Sequence, residues 1–277
     1  MNEILYIYKK NRYLRMGTIM VGFLVLVAIF AHVIAPFDYD EANRDVRLEP
    51  PSSDHWFGTD EFGRDVFSRV LYGSRIALRV AILGVSIQVL IGVTLGLISG
   101  YFGRVTDQIV SFLADLTWSL PPIIMSMAVI SIIGKGLDNT IIAISVVSWA
   151  QYARVVRAKT SSLKNMAFVE TALAYNESHP SILFRYILPN TIPSIIVLVS
   201  LSIPNTIMST TALSFLGLGA QPPSPDWGLA LSSSILYLLN APWLAVFPGI
   251  ALVYTVFAFN LLGEGLRDLL DPRLRAR

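Results

Sequence analysis

Hydrophobic residues in this chain are collected into long runs that are separated by shorter polar stretches. The runs have the length of the roughly 20 apolar residues that a helix needs to cross the hydrocarbon layer of a bilayer. Helices are expected throughout, because lipid offers no partner to open backbone groups and barrel strands would alternate polar with apolar positions. The pattern predicts an all-α integral membrane protein of about six transmembrane helices. Their expected positions are residues 16–36, 76–100, 107–133, 139–157, 191–213 and 241–263.

The predicted connections between these spans differ strongly in length. Short turns join the second span to the third and the third to the fourth, whereas long connections cover 37–75, 158–190 and 214–240. No separable soluble segment is visible. Residues 1–277 are therefore predicted to form a single transmembrane domain.

The basic residues predict how the chain is oriented in the membrane. Most of the 21 lysines and arginines lie near the N-terminus, in the 158–190 connection or near the C-terminus, whereas 214–240 has none. The positive-inside rule then places both termini in the cytoplasm and the 37–75 connection outside. A cleaved signal peptide is the alternative for the first apolar run. It would require a shorter apolar core and a small-residue cleavage site, so we expect an uncleaved helix.

Composition limits the chemistry that the chain itself can perform. Only 14% of its residues are charged, against about 25% in soluble proteins. The net charge of +2 gives no indication of nucleic-acid binding, and the absence of cysteine removes thiolate metal sites. We expect no metal site, because the three histidines are scattered over different segments. Without a phosphate-loop motif or a nucleophile elbow, we expect no catalytic residue and no ATP bound by this chain.

The 158–190 connection is a candidate interaction surface. Its sequence predicts two short helices, with Asn176 in the left-handed turn between them and Pro180 in the first turn of the second. Leu188 and Pro189 are expected to end that second helix. A basic loop at the lipid head groups would explain the arginines but not the apolar positions. A docking surface for a cytoplasmic partner is favoured by these apolar residues: Phe168, Val169, Leu173, Ile182, Leu183 and Phe184.

The same connection resembles the EAA loop of permeases from ATP-binding-cassette (ABC) importers. That loop has the pattern Glu-Ala-Ala, then a glycine four residues later, then Leu-Pro. The resemblance implies a type I-like importer fold in which the matching residues contact an ATPase subunit: Glu170, Thr171, Ala172, Asn176, Leu188 and Pro189. Thr171, Asn176 and Tyr186 depart from the pattern. Asparagine is the best substitute for glycine in a left-handed turn, so the loop fold is expected to persist.

Two further stretches narrow the resemblance. Residues 58–75 and 214–228 are similar to segments of the second, C-type permease of bacterial dipeptide, oligopeptide and nickel importers. This similarity implies a cell-membrane complex with a second permease, two cytoplasmic ATPases that bind ATP and magnesium, and an extracytoplasmic binding protein. Peptides are the favoured substrate, with nickel or a metal chelate as the alternative. Turn chemistry and a membrane-interface belt containing Trp227 and Trp243 are the structural alternatives for these stretches.

Polar residues inside the spans are candidates for lining a translocation path. They are Asp115, Gln88, Asn205 and Asn260. Such residues are costly in lipid and are often functional, although a structural hydrogen bond between helices is the alternative at Asp115. A secondary transporter would need pairs of ionisable residues at mid-membrane, and only Asp115 supports that alternative. An intramembrane enzyme would need clustered catalytic residues. The sequence therefore favours the ABC permease over both.

Overall fold

The computed structural model describes residue 8 and residues 11–270 of the chain. This part is almost entirely helical. We number its α-helical segments α1 (Arg12–Ile34), α2 (Val66–Phe102), α3 (Arg104–Trp118), α4 (Pro122–Ile133), α5 (Leu137–Lys164), α6 (Ala167–Ala174), α7 (His179–Phe215), α8 (Trp227–Ser234) and α9 (Trp243–Leu270). Single π-helical stretches interrupt α2 at Val80–Gly84 and α7 at Ile182–Ile187.

Within the described residues, four helices are long and apolar enough to cross a membrane: α1, α2, α7 and α9. The α3–α4 pair adds a fifth if it is counted as one bent span. The predicted span at 139–157 lies inside α5, which is less apolar than the other four. α5 packs against α2, α3, α4 and α7, so its small and polar residues, such as Ser145, contact protein instead of lipid.

The prediction of one continuous helix over 107–133 is wrong. The chain turns by 94° between α3 and α4. Pro121 and Pro122 cause the break: Pro121 has an extended backbone with ψ of 131°, and Pro122 occupies the first turn of α4. A residue that precedes proline is pushed out of the helical region, which ends α3.

α2 and α5 touch through their backbones along a stripe of three glycines, Gly92, Gly96 and Gly100. A Cβ atom added at Gly92 would lie 2.5 Å from both the carbonyl oxygen of Trp149 and the Cβ of Tyr152. One added at Gly96 would lie 2.7 Å from the carbonyl oxygen of Ala153. Small residues at every fourth position let two membrane helices approach closely.

The ends of the predicted 37–75 connection need correction, because α2 begins at Val66. The Asp65 carboxylate caps this helix by accepting hydrogen bonds from the Ser68 amide at 2.7 Å and the Ser68 hydroxyl at 2.8 Å. The predicted 214–240 connection likewise contains a helix, α8. We call residues 35–65 and 216–242 together the cap.

Buried polar side chains join the two halves of the cap. The Arg69 guanidinium donates to the carbonyl oxygens of Tyr39 at 2.7 Å, Pro223 at 3.1 Å and Ser224 at 2.9 Å. The indole N–H of Trp227 donates to Val70 at 3.1 Å, and that of Trp243 to Thr59 at 3.2 Å. Trp227 therefore ties the second loop of the cap to α2, and Trp243 ties α9 to the first loop, so both have specific contacts.

Candidate functional site: the docking segment and the charged membrane surface

The predicted 158–190 connection is shorter in the structure. α5 continues to Lys164 and α7 begins at His179, so only α6 and two short turns lie between them. We call residues 165–187 the docking segment. It lies at the opposite end of α2 from the cap, where the Tyr101 hydroxyl is 2.8 Å from Nδ1 of His179.

The left-handed turn at Asn176 is confirmed, with φ of 58°. The Glu177 amide donates to the carbonyl oxygen of Ala172 at 3.1 Å, and the Asn176 amide donates to Leu173 at 3.0 Å. These two bonds satisfy the last carbonyls of α6 in the way that a Schellman motif does. Pro180 lies in the first turn of α7, as expected.

The prediction that Leu188 and Pro189 end a helix is wrong. The helix runs on without a break from His179 to Phe215. The Leu188 amide donates to the carbonyl oxygen of Leu183, five residues back, which is the wide turn of a π-helix. Proline has no amide to donate and its ring crowds the preceding turn. The wide turn accommodates Pro189, so the second half of the docking segment, from His179 onward, and the following membrane helix form one continuous element.

Half of the apolar surface that indicated a partner is covered by this chain itself. Val169, Ile182 and Leu183 are buried together with Ala172, which is 4% exposed. They pack in one cluster with Ile187 of the same segment and with residues of α2, α5 and the membrane part of α7, namely Val93, Leu97, Tyr101, Val156, Leu163 and Ile195.

The opposite side of the docking segment is open. Glu170 and Thr171 are exposed, and so are the apolar side chains of Phe168, Leu173 and Phe184, the last of them 65% exposed. Glu170 lies in the first turn of α6, where a negative charge is favoured by the helix dipole. The segment thus has one face fixed to the bundle and one apolar face with a charged residue at its edge.

Tyr186, which departs from the EAA pattern, has a structural role. Its hydroxyl donates to the Glu177 carboxylate at 2.6 Å, and the Ser181 hydroxyl donates to the same carboxylate at 2.6 Å. These donors, first Ser181 and then Tyr186, hold the pKa of Glu177 below its ordinary value. The carboxylate therefore ties the turn after α6 to the first turns of α7.

All four polar residues predicted to line a path make contacts within the chain, and three of them form hydrogen bonds to uncharged groups. Gln88 is 1% exposed and donates to the Thr206 hydroxyl at 3.2 Å, between α2 and α7. Asn205 and Asn260 are exposed, but each donates to a carbonyl of its own helix, at 3.4 Å and 2.9 Å. The buried position of Gln88 gives it no open surface in this chain.

Asp115 forms an ion pair between α3 and α5 that the sequence did not reveal. Nη2 of Arg154 lies 2.6 Å from its carboxylate, and the guanidinium stacks 4.1 Å above the Trp118 ring. Both partners of this ion pair are exposed in this chain, the Asp115 side chain by 70% and the Arg154 side chain by 42%. Asp107 and Arg157 form a second α3–α5 ion pair. The sequence shows two acids on α3 and two arginines on α5, but nothing in their spacing indicates which of them pair.

Histidines do not converge on a metal centre in the described part of the chain. No group of three or more His, Cys, Asp or Glu side chains lies close enough to hold a metal ion there. Nδ1 of His55 is 3.0 Å from the Asp65 carboxylate in the cap, whereas His179 lies at the other end of α2.

The bent pair, the central α5 and the docking segment all fall within a stretch that matches a known family. Residues 92–276 match the family described as the binding-protein-dependent transport system inner membrane component. The chain belongs to this family. Residues 1–51 match the N-terminal transmembrane domain of oligopeptide transport permease C. The resemblance to a permease subunit of an ABC importer is thereby confirmed, and the chain is a multi-pass protein of the cell membrane.

Individual relatives agree with this assignment. The dipeptide transport system permease protein of Alkalihalophilus pseudofirmus is 42% identical over 268 residues, which cover 97% of this chain and 88% of that protein. The glutathione transport system permease protein of Pectobacterium atrosepticum is 42% identical over 259 residues, covering 91% and 84%. Among solved structures, the inward-facing MetNI methionine ABC transporter aligns with a TM-score of 0.55 at 16% identity, over 73% of this chain and 96% of that one. That likeness shows the fold alone.

Proposed function

We propose that this permease forms half of the translocation path of an ABC importer for peptides. Its relatives are named for dipeptide and glutathione transport, and glutathione is itself a small peptide. These names favour peptides over nickel or a metal chelate. The family name, binding-protein-dependent transport, supports an extracytoplasmic binding protein as the source of substrate.

The proposed complex contains this chain, a second permease, two cytoplasmic ATPases and the binding protein. ATP and magnesium are bound by the ATPases, because this sequence has no phosphate-loop motif. In the membrane, the docking segment and both termini face the cytoplasm, and the cap faces outside. α5 supplies the fourth of the six spans of one transmembrane domain, and its neighbours enclose it.

The exposed face of the docking segment is the observation that carries the proposal. Glu170, Thr171, Leu173 and Phe184 lie on the open side of a short helix pair whose other side is fixed to α2 and α5. An ATPase that closes on ATP would move this face, and the bundle would follow. Ala172 contributes from the buried side, Asn176 shapes the turn, and Leu188 and Pro189 carry the helix into the membrane.

The docking role can be tested with a charge on the open face. The Leu173→Arg variant places a cation at a side chain that is 40% exposed and predicted to be covered by the ATPase. An uncompensated buried charge at a well-packed interface costs more than about 2 kcal/mol, and each 1.4 kcal/mol is about tenfold in affinity. We therefore expect ATPase co-purification and ATP-dependent peptide uptake to fall by at least about tenfold.

Ser161→Arg is the matched control, because it adds the same charge to an exposed position on α5 outside the docking segment. It should leave both measurements near the wild type. A charge at Ala172 would not serve, since that side chain is buried within this chain. Normal uptake with stoichiometric ATPase in Leu173→Arg would refute the docking role.

The substrate class needs a separate measurement. The complete importer with its binding protein is reconstituted in proteoliposomes, and uptake of a labelled dipeptide is compared with uptake of labelled nickel. We expect ATP-dependent uptake of the dipeptide. Uptake of nickel without peptide would overturn the peptide proposal and leave the importer assignment intact.

A further inference from the structure

A charged surface and a broken helix meet at one place on this chain. Asp115 and Trp118 lie one turn apart at the end of α3, just before the non-helical residues 119–121, and Arg154 reaches them from α5. Ser119, Leu120 and Pro121 are all exposed. The exposed ion pair therefore lies next to the exposed residues at the helix break.

This surface lies within the hydrocarbon zone under the proposed topology. Asp115 is about 16 Å along α3 from Arg104, and Arg154 is about 15 Å from the end of α5 at Lys164. Lipid covers neither charges nor unpaired backbone groups at such depth, so both occur where a helix meets protein or a water-filled cavity. Transporters commonly form their substrate sites at helices broken in this way.

We propose that Asp115, Arg154 and Trp118 line the translocation path and contact the charged ends of the peptide as it passes. This inference rests on the proposed function. The Asp115 carboxylate would receive the peptide ammonium group, and the Arg154 guanidinium, which carries five N–H donors, would receive the peptide carboxylate. Trp118 offers an aromatic face to apolar side chains.

The pairing of the two charges suits passage better than tight binding. Because Asp115 and Arg154 already neutralise each other at 2.6 Å, a peptide with one charge of each sign exchanges one ion pair for two others. A transport site has to bind strongly enough to admit its substrate and weakly enough to release it. An unpaired charge at this depth would hold the oppositely charged end of the peptide.

The proposal is tested by charge selectivity. Asp115→Asn leaves a net positive charge on the surface, and Arg154→Gln leaves a net negative one. Uptake into proteoliposomes is measured for one dipeptide with an acidic and one with a basic side chain, each at saturating loaded binding protein. We expect Asp115→Asn to shift the uptake ratio about tenfold toward the acidic peptide and Arg154→Gln about tenfold toward the basic one, each corresponding to about 1.4 kcal/mol.

Asp107→Asn and Arg157→Gln are the matched controls, because they break the other α3–α5 ion pair at the first turn of α3. They should leave the ratio unchanged, even if total uptake falls. Equal losses for both peptides in Asp115→Asn and Arg154→Gln, or no change at all, would mean that the pair is only structural and would overturn the inference.

A second measurement applies even if those variants assemble poorly. The chain has no cysteine, so a single Ser119→Cys substitution can be labelled on this subunit with a water-soluble thiol reagent. Reaction in the assembled importer, slowed during peptide transport, supports the inference. The control is Val253→Cys on the apolar face of α9, which should stay unreactive in lipid.

The outcomes separate the two proposals. A Ser119→Cys variant as unreactive as the control would show that water does not reach this surface in the assembled importer, and the inference would fail. Wild-type importer that takes up no peptide would overturn the proposed function itself. Wild-type peptide uptake with unmoved ratios would overturn the inference alone.

Discussion

A methyl group at Gly92 is expected to separate the two helices at the centre of the bundle. The added Cβ would lie 2.5 Å from the Trp149 carbonyl oxygen and 2.5 Å from the Tyr152 Cβ. Ordinary contact begins near 3.4 Å, so α2 and α5 would have to move apart by about 0.9 Å there. Neither obstructing atom can rotate away, because one belongs to the backbone and the other is attached directly to it.

The size of the effect follows from two opposing terms. Overpacking of this kind costs about 1–3 kcal/mol, and the rigid neighbours at Gly92 favour the upper end. Replacing glycine by alanine inside a helix returns about 1 kcal/mol through helix propensity. Gly22→Ala on α1 measures the gain in helix propensity alone, because a Cβ atom there would meet nothing within 4 Å. The two variants should therefore differ by about 2–3 kcal/mol.

Thermal melting of the detergent-purified importer complex measures this difference. The monodisperse fraction is followed by size-exclusion chromatography after heating. At about 2–4 °C per kcal/mol for a chain of this size class, Gly92→Ala should melt about 4–12 °C below Gly22→Ala. Equal melting temperatures would refute the backbone contact between α2 and α5.

Three further predictions concern the cap, the topology and the source of energy. Burial raises the pKa of Asp226, which caps α8 through the Leu229 amide at 2.9 Å, so its contribution to stability should fall as the pH rises through that pKa. Asp226→Asn keeps the helix cap without the charge, so its melting temperature at pH 8 should be at least that of the wild type. Asp226→Ala removes the cap and should lower the free energy of unfolding by about 1 kcal/mol. Equal melting temperatures of the two variants would contradict this. A Ser53→Cys variant should be labelled from outside the cell, and labelling only from the cytoplasm would reverse the proposed topology. The purified chain without partners should hydrolyse no ATP above a detergent blank, and turnover that survives repurification would show the opposite.

Local sequence signals predicted several features correctly. Long apolar runs marked α1, α2, α7 and α9, because membrane helices are defined by their own composition. Asn176 and Pro180 marked the turn and the following helix start, because backbone conformation there depends on single residues. The family followed from short motifs in the right order.

Features that depend on distant residues were missed. A span drawn from apolar content alone overlooked Pro121 and Pro122, although their sequence is a helix-breaking signal. The ion pair between Asp115 and Arg154 joins residues on different helices, so no spacing in the sequence indicated it. The glycines at 92, 96 and 100 did carry a readable signal, since a small residue at every fourth position is typical of closely packed membrane helices.

The unbroken course of α7 joins the second half of the docking segment, from His179 onward, and a membrane span into one long helix. At 1.5 Å per residue, its 37 residues measure about 55 Å. Had Leu188 and Pro189 ended the helix, a flexible joint would have absorbed part of any push from the docking end. A tilt of about 10° about the middle of a rod of this length displaces each end by about 5 Å in opposite directions. Under the proposed docking role, the movement that reaches the membrane end of α7 would depend on where this helix pivots against α5 and α9, the helices that pack along it.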